Sequence, residues 1–192
     1  MNRLIAATLL TLTAPLASHA AEGERPFKFV LGAGLTGGGS TLATVQYTNG
    51  SSQNISAGGL LMLYGGFETK VGTLVTLQAT AGYHIDDTNA SNGRVRFSRY
   101  PIDLLAYVPV NDQLRFGAGA QFVSNARLKG SGVASGVDQK YDSTVGFVIE
   151  GEYRFSPAYG LKLRGVSEKF KESNTGNSVS GNHAGLLFNF YF

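Results

Sequence analysis

Apolar and polar residues alternate along most of the chain. From 145 to 155, Val145, Phe147, Ile149, Tyr153 and Phe155 share one side with Gly151, while Gly146, Val148, Glu150, Glu152 and Arg154 take the other. From 114 to 124, Leu114, Phe116, Ala118, Ala120 and Phe122 oppose Arg115, Gly117, Gly119, Gln121 and Val123. Residues 74–85 behave the same way. So does the end of the chain, where Ala184, Leu186, Phe188, Phe190 and Phe192 oppose His183, Gly185, Leu187, Asn189 and Tyr191. A two-residue repeat belongs to a β-strand whose two faces meet different surroundings. The helical period is missing. Eight strands are predicted, over 27–36, 55–67, 73–85, 94–107, 113–125, 141–155, 159–171 and 182–192. Their connections alternate in length. Short turns fall at 68–72, 108–112 and 156–158, and longer Ser-, Gly-, Asn- and Thr-rich loops at 37–54, 86–93, 127–140 and 172–181.

After Ala21 no run of about eighteen apolar residues exists, so no helix is available to cross a bilayer. A sheet crosses only if it closes on itself, because hydrocarbon offers backbone N–H and C=O groups no partner. The pattern therefore predicts an all-β fold, an eight-stranded antiparallel up-and-down transmembrane β-barrel. Short turns at one end and long loops at the other suit it. An even strand number leaves both termini on the periplasmic side and the long loops extracellular. Alternation alone also fits a soluble barrel of lipocalin type. The aromatic last strand, the one-sided loop lengths and the strand lengths favour the membrane form.

With apolar faces turned to lipid, the polar faces fill the lumen. Eight strands leave room only for side chains, so ionised groups there must pair. Arg99, Asp103, Arg115, Glu150, Glu152, Arg154, Lys162 and Arg164, with Gln121, are the expected lumen set, and their network is centred on Glu150, Glu152, Arg115, Arg154 and Arg164. Val30, Met62, Tyr64, Val123, Val148 and Leu187 are expected as apolar lumen positions. Tyr47, Tyr64, Tyr83, Tyr100, Tyr107, Tyr153, Tyr159 and Tyr191 supply candidates for interface girdles, since Trp is absent. Pro101 removes a ladder donor from the fourth strand and marks a bulge or kink.

Asn2 and Arg3, an apolar stretch from Leu4 to Leu12, Pro15 and the small-residue exit Ser18-His19-Ala20 read as a secretory signal peptide over 1–20. Residues 21–192 then form one barrel domain. Charged residues make up 15% of the chain and its net charge is +3, too little and too scattered for a nucleic-acid partner. With no cysteine, disulfides, thiol nucleophiles and Cys-ligated zinc are excluded.

The signal peptide, the eight alternating segments and the closing run Gly185-Leu186-Leu187-Phe188-Asn189-Phe190-Tyr191-Phe192 resemble the small outer-membrane β-barrel superfamily, which includes the OmpA barrel domain, OmpX, NspA and Opa relatives. The resemblance implies that Gly185, Phe188, Phe190 and Phe192 are the signal read by the barrel assembly machinery. It implies residence in the outer membrane among its lipid and lipopolysaccharide. It does not imply a cell-wall tether, because the chain stops at Phe192. A monomer without cofactor is expected.

Chemistry-bearing motifs are few. Gly32-Ala33-Gly34-Leu35-Thr36-Gly37 has the spacing of a dinucleotide loop, but no helix follows it. Asp87, Asn89 and Ser91 are faintly spaced like a calcium loop, without its Gly or closing Glu. His84 and His183 are expected to point inward near the extracellular rim, with Asp86, Glu168, Ser178 and Ser180 at similar heights. A Ser–His–acid site acting on lipid A needs those groups together, yet Ser180 and His183 fall on opposite faces of a regular strand. Arg94, Arg96, Arg127, Lys129, Lys140, Lys169 and Lys171 are placed to meet lipopolysaccharide phosphates. The expected role is non-catalytic: envelope integrity, adhesion or recognition through the loops. A narrow conduit or binding site for small apolar ligands, and a lipid A-modifying enzyme, are the alternatives.

Overall fold

A computed structural model describes residues 27–47, 50–90 and 92–192. The signal-peptide segment lies outside them. The strands in chain order are β1 (Phe27–Gly38), β2 (Thr41–Gln46), β3 (Ser52–Ser56), β4 (Leu60–Val71), β5 (Val75–Ala90), β6 (Gly93–Pro109), β7 (Leu114–Gly132), β8 (Asp138–Lys140), β9 (Thr144–Ser156), β10 (Tyr159–Ser167), β11 (Lys169–Lys171), β12 (Ser178–Ser180) and β13 (His183–Tyr191). Eight of them (β1, β4, β5, β6, β7, β9, β10 and β13) pair antiparallel in sequence order. β13 returns to pair with β1, from Val30↔Tyr191 to Gly38↔His183, so the sheet is a closed cylinder. The seam continues past β13, where Phe29 and Phe192 exchange backbone hydrogen bonds of 2.9 and 3.1 Å. Both ends of the barrel chain therefore lie at one rim, the terminal end. The longer connections gather at the other, the loop end.

The two-residue repeat sorts every strand into an outside and an inside. Outward side chains are large and apolar, such as Phe29, Val145 and Leu163, which are 62%, 62% and 66% exposed. Such a belt is a surface for hydrocarbon, not water. Tyr159 with Phe155, Phe188 and Phe190 forms an aromatic group on the outer wall at the terminal end. Inward side chains are charged, polar or tightly packed, and Arg99, Gln121, Glu152, Lys162 and Asn189 are all but fully buried.

The predicted loops are mostly strand. Within the predicted loop 86–93, β5 and β6 stay paired up to Ala90↔Gly93. At 127–140, β7 runs on to Gly132 and β8 folds back on it. Within 37–54 lies the β2–β3 hairpin, and 172–181 holds the turn and second arm of β11–β12. These stretches alternate between Ser, Thr, Asn or charged residues and occasional apolar ones, so their repeat lacks the hydrophobic contrast that marks a lipid-facing strand. The predicted strand 55–67 is divided between β3 and β4, and 159–171 is interrupted at Glu168 between β10 and β11. Three of the candidate girdle tyrosines belong inside, Tyr64 at the lumen position also expected of it. Tyr64, Tyr107 and Tyr191 are buried in the lumen, where their hydroxyls reach Asn189, Glu150 and Glu152 respectively.

Candidate functional site

In the terminal half of the lumen, neighbouring strands bring cations and carboxylates to the same height. Arg164 on β10 donates from Nη1 to Glu150 Oε1 at 2.7 Å and from Nη2 to Asp103 Oδ1 at 2.8 Å. Asp103 also accepts from Gln121 Nε2 at 2.8 Å. Lys162 Nζ donates to Gln78 Oε1 and to the Tyr107 hydroxyl, both at 2.8 Å, and lies 3.1 Å from Glu150 Oε2. Tyr107 in turn donates to Glu150. Nearer the rim, Arg115 donates from Nε to Glu152 Oε2 at 2.5 Å and from Nη2 to Glu68 Oε2 at 2.9 Å. Arg154 Nη2 reaches the other Glu68 oxygen at 2.6 Å. The Tyr107 ring joins the two groups, with the Arg115 guanidinium 4.2 Å from its centre. Seven of the eight expected lumen charges thus form one connected set. Glu68, assigned to a turn, proves to be a central member because β4 runs on to Val71 and Glu68 faces inward.

Arg99 stands apart. β5 and β6 pair as far as Ala81↔Ile102 and resume at His84↔Arg99, the gap falling where Pro101 lacks an N–H. Across β6 and β7 the register slips between Ser98 and Tyr100, opposite Asn125, whose φ of 52° is left-handed. Bulges of this kind re-aim a side chain. Here Arg99 is lifted into the loop half, where Nη2 donates to His84 Nδ1 at 2.8 Å and lies 3.5 Å from Glu168 Oε1. The rings of His84 and His183 meet edge to face at 5.3 Å. His183 Nδ1 donates to the Gly181 carbonyl at 2.8 Å. Above this cluster Phe97, Phe170 and Tyr141 pack edge to face with Ile55 and Val95 into an apolar layer. The Arg99 guanidinium lies 5.6 and 5.3 Å from the Phe97 and Phe170 ring centres. Buried atoms left without a hydrogen-bond partner concentrate here: Arg99 Nε and Nη1, both Glu168 oxygens and His183 Nε2.

The geometry bears on proton chemistry. Because Arg99 donates to His84 Nδ1, the ring hydrogen sits on Nε2 and points to Thr36 Oγ1 at 2.7 Å. An imidazole held in that tautomer cannot take the hydroxyl proton. Ser180 Oγ accepts from the Asn182 amide, and Asp86 Oδ2 from the Ser56 amide at 2.7 Å. Among the described residues no three His, Asp or Glu side chains are grouped to hold a metal ion.

No protein-family model matches the chain, and no curated protein sequence matches it. Solved structures do. The attachment invasion locus protein Ail of Yersinia pestis superposes with a TM-score of 0.54 at 10% identity, over 86% of this chain and 97% of that one. Neisserial surface protein A superposes with a TM-score of 0.53 at 11% identity, over 89% of this chain and 100% of that one. The chain has the fold of the small outer-membrane β-barrels. A second Ail structure, in complex with the heparin analogue sucrose octasulfate, matches with a TM-score of 0.51 at 11% identity, over 86% of this chain and 97% of that one.

On this outer-membrane barrel fold the remaining assigned residues fall as follows. Phe188, Phe190 and Phe192 lie on the outer wall, and Gly185 lies in the wall against Thr36. At the loop end, Asp87 receives Arg94 Nε at 2.6 Å and Arg96 Nη2 at 3.3 Å. Asp138 receives Arg127 Nε at 2.7 Å, and this hydrogen bond holds its carboxyl below the usual aspartate range.

Proposed function

We propose that the chain is an integral outer-membrane protein with a non-catalytic envelope role, acting through the surface of its loop end. In this reading the short turns and both termini face the periplasm, and the paired hairpins stand outside. One observation carries it. Buried side chains occupy the lumen from Tyr191 at one end to Phe170 at the other, so the outer surfaces are left to do the work. The β2–β3 hairpin is braced for display: Tyr47 hydrogen-bonds Thr88 on β5 and donates to Gln53 Oε1 at 2.8 Å. The wrong tautomer at His84 supports the non-catalytic reading. The packing of Val30, Met62, Tyr64, Leu187 and Tyr191 into one cluster speaks against a conduit for apolar ligands. The outward row Phe188, Phe190 and Phe192 supports recognition by the barrel assembly machinery. A single chain closes its own sheet, which supports a monomer.

The test is twofold. Planar-bilayer recording of the pure protein is expected to show no large, stable conductance, and lipid A from cells with and without the gene is expected to carry the same acyl chains. A steady open channel overturns the filled lumen. An altered acyl pattern overturns the non-catalytic role.

A further inference from the structure

The terminal mouth of the barrel holds a cavity of about 700 Å³, a cup rimmed by the three short turns. Arg115 on β7 and Arg154 on β9 form its floor, laid over the Tyr191 ring with their guanidinium groups 5.6 and 4.3 Å from the ring centre. Arg115 Nη2 also donates to the Tyr191 hydroxyl at 3.0 Å. Lys28 on β1 and Lys70 on β4 line the cup as well, since they share the inward parity of Val30 and Glu68. Asp112, exposed in the turn between β6 and β7, is the one carboxylate among the described residues of the lining.

The cations at this mouth are not all matched. Arg115 and Arg154 divide Glu68 and Glu152 between them, Arg115 at 2.9 and 2.5 Å and Arg154 at 2.6 and 3.8 Å. Both Glu68 oxygens are thereby taken, and Gln78 Nε2 adds a third donor at 3.1 Å. Lys28 is the cross-strand partner of Glu68, yet among the described residues it is in no ion pair. Arg154 Nε is buried and has no hydrogen-bond partner. A cleft lined by one sign of charge over a low-dielectric floor concentrates counter-ions. The guanidinium is a planar fork of donors held in place by its ring and its carboxylates, and the ammonium is a compact charge with three more. Together they suit a group with several negative oxygens, and a phosphate monoester carries nearly two charges at neutral pH. The cup is larger than such a group alone, and Thr73, Thr76 and Gln113 add two hydroxyls and an amide around it.

We propose that this cup binds the phosphate group of a small, hydroxyl-bearing solute, with Arg154 and Lys28 as its principal partners. A soluble phosphate ester is favoured over a phospholipid headgroup because the cup opens inside the ring of turns, and the apolar belt lies on the outer wall. That the solute comes from the periplasm rests on the orientation proposed above. The binding itself does not.

The test uses the full chain folded in amine-oxide micelles, with glucose 6-phosphate, inorganic phosphate and glucose as probes. Calorimetry is expected to show glucose 6-phosphate binding most tightly, inorganic phosphate more weakly, and glucose not at all. Amide NMR shifts on binding are expected in the turns at 73–76 and 110–114. R154Q is expected to weaken glucose 6-phosphate binding about tenfold and K28Q about fivefold, as loss of charge-assisted bonds predicts. K171Q, exposed at the loop end, is expected to bind like the wild type. A heat-shift gel confirms folding. If R154Q does not fold, K28Q decides, because it leaves the Glu68 and Glu152 pairs intact. No binding, equal binding by wild type and folded K28Q, or shifts confined to the loop end overturns the proposal. Equal affinity for inorganic phosphate overturns the part given to the hydroxyls. Tighter binding of phosphatidylglycerol added to the micelles, with the same turn shifts, overturns the soluble ligand in favour of a headgroup. Orientation is read independently with Ser135→Cys in this cysteine-free chain. Labelling on intact cells supports a periplasmic cup. Labelling only after lysis overturns the periplasmic source and the orientation together, whatever the calorimetry shows.

Discussion

In the terminal half of the lumen, Arg164 meets two carboxylates at 2.7 and 2.8 Å, while in the loop half Arg99 comes no nearer than 3.5 Å to Glu168. Both arginines are buried and both face an acid. Arg164 directs two nitrogens into good hydrogen bonds, and its carboxylates take further donors from Gln121, Lys162 and Tyr107. Arg99 keeps two nitrogens without partners, and Glu168 both oxygens. Desolvating an ion pair is repaid only when geometry is good and the remaining lone pairs are satisfied. The terminal half is therefore held by its charges, and the loop half by the aromatic layer packed over its charges.

The comparison can be broken at three points. Arg164→Leu strands Asp103 and Glu150 together in a dry interior, and it is expected to cost about 3–5 kcal/mol in urea unfolding of the vesicle-inserted protein. A neutral result would sink the claim that paired charge holds the terminal half. Phe170→Ala removes a fully buried ring that packs on Phe97, Tyr141 and Arg99. Its expected cost by the same measurement is about 3 kcal/mol, together with faster protease cleavage in the β11–β12 hairpin. The smallest effect has the opposite sign. Arg99→Met combined with Glu168→Leu replaces a poorly bonded pair by apolar volume, and is expected to stabilise by about 1–2 kcal/mol. A loss of several kcal/mol there would mean that the pair contributes much more than its distances suggest.

Much of this division is written in the sequence. A period of two, sustained with large apolar residues on one side, identifies the eight barrel strands and which way each residue faces. Glu150, Glu152, Arg115, Arg154, Lys162, Arg164 and Asp103 are legible because each alternates with residues such as Phe147, Phe116 and Leu163 that suit only lipid. Glu68 was hidden by its place beside Gly72, since a charged residue next to a turn ordinarily faces water. Tyr107 shares the parity of Asp103, and Tyr191 that of Asn189, so their inward direction was available, but an amphipathic ring also suits an interface. Arg99 escaped its expected partners for a different reason. Pro101 signals a broken ladder, yet a sequence cannot say how far the register slips or which neighbours the shifted side chain finds.

The lumen is also assembled by complementary size. Tyr107 lies opposite Gly117 and Tyr64 opposite Gly32 as cross-strand partners. A methyl group at Gly117 would meet two Tyr107 ring carbons at 2.5 Å. The ring would turn, lifting its hydroxyl from Glu150 and its face from beneath Arg115. Inherited change in such an interior is thus expected to come in matched couples, a bulkier residue on one strand answered by a smaller one across from it. The volumes of facing positions, more than the letters along any one strand, then set the pace at which this protein drifts.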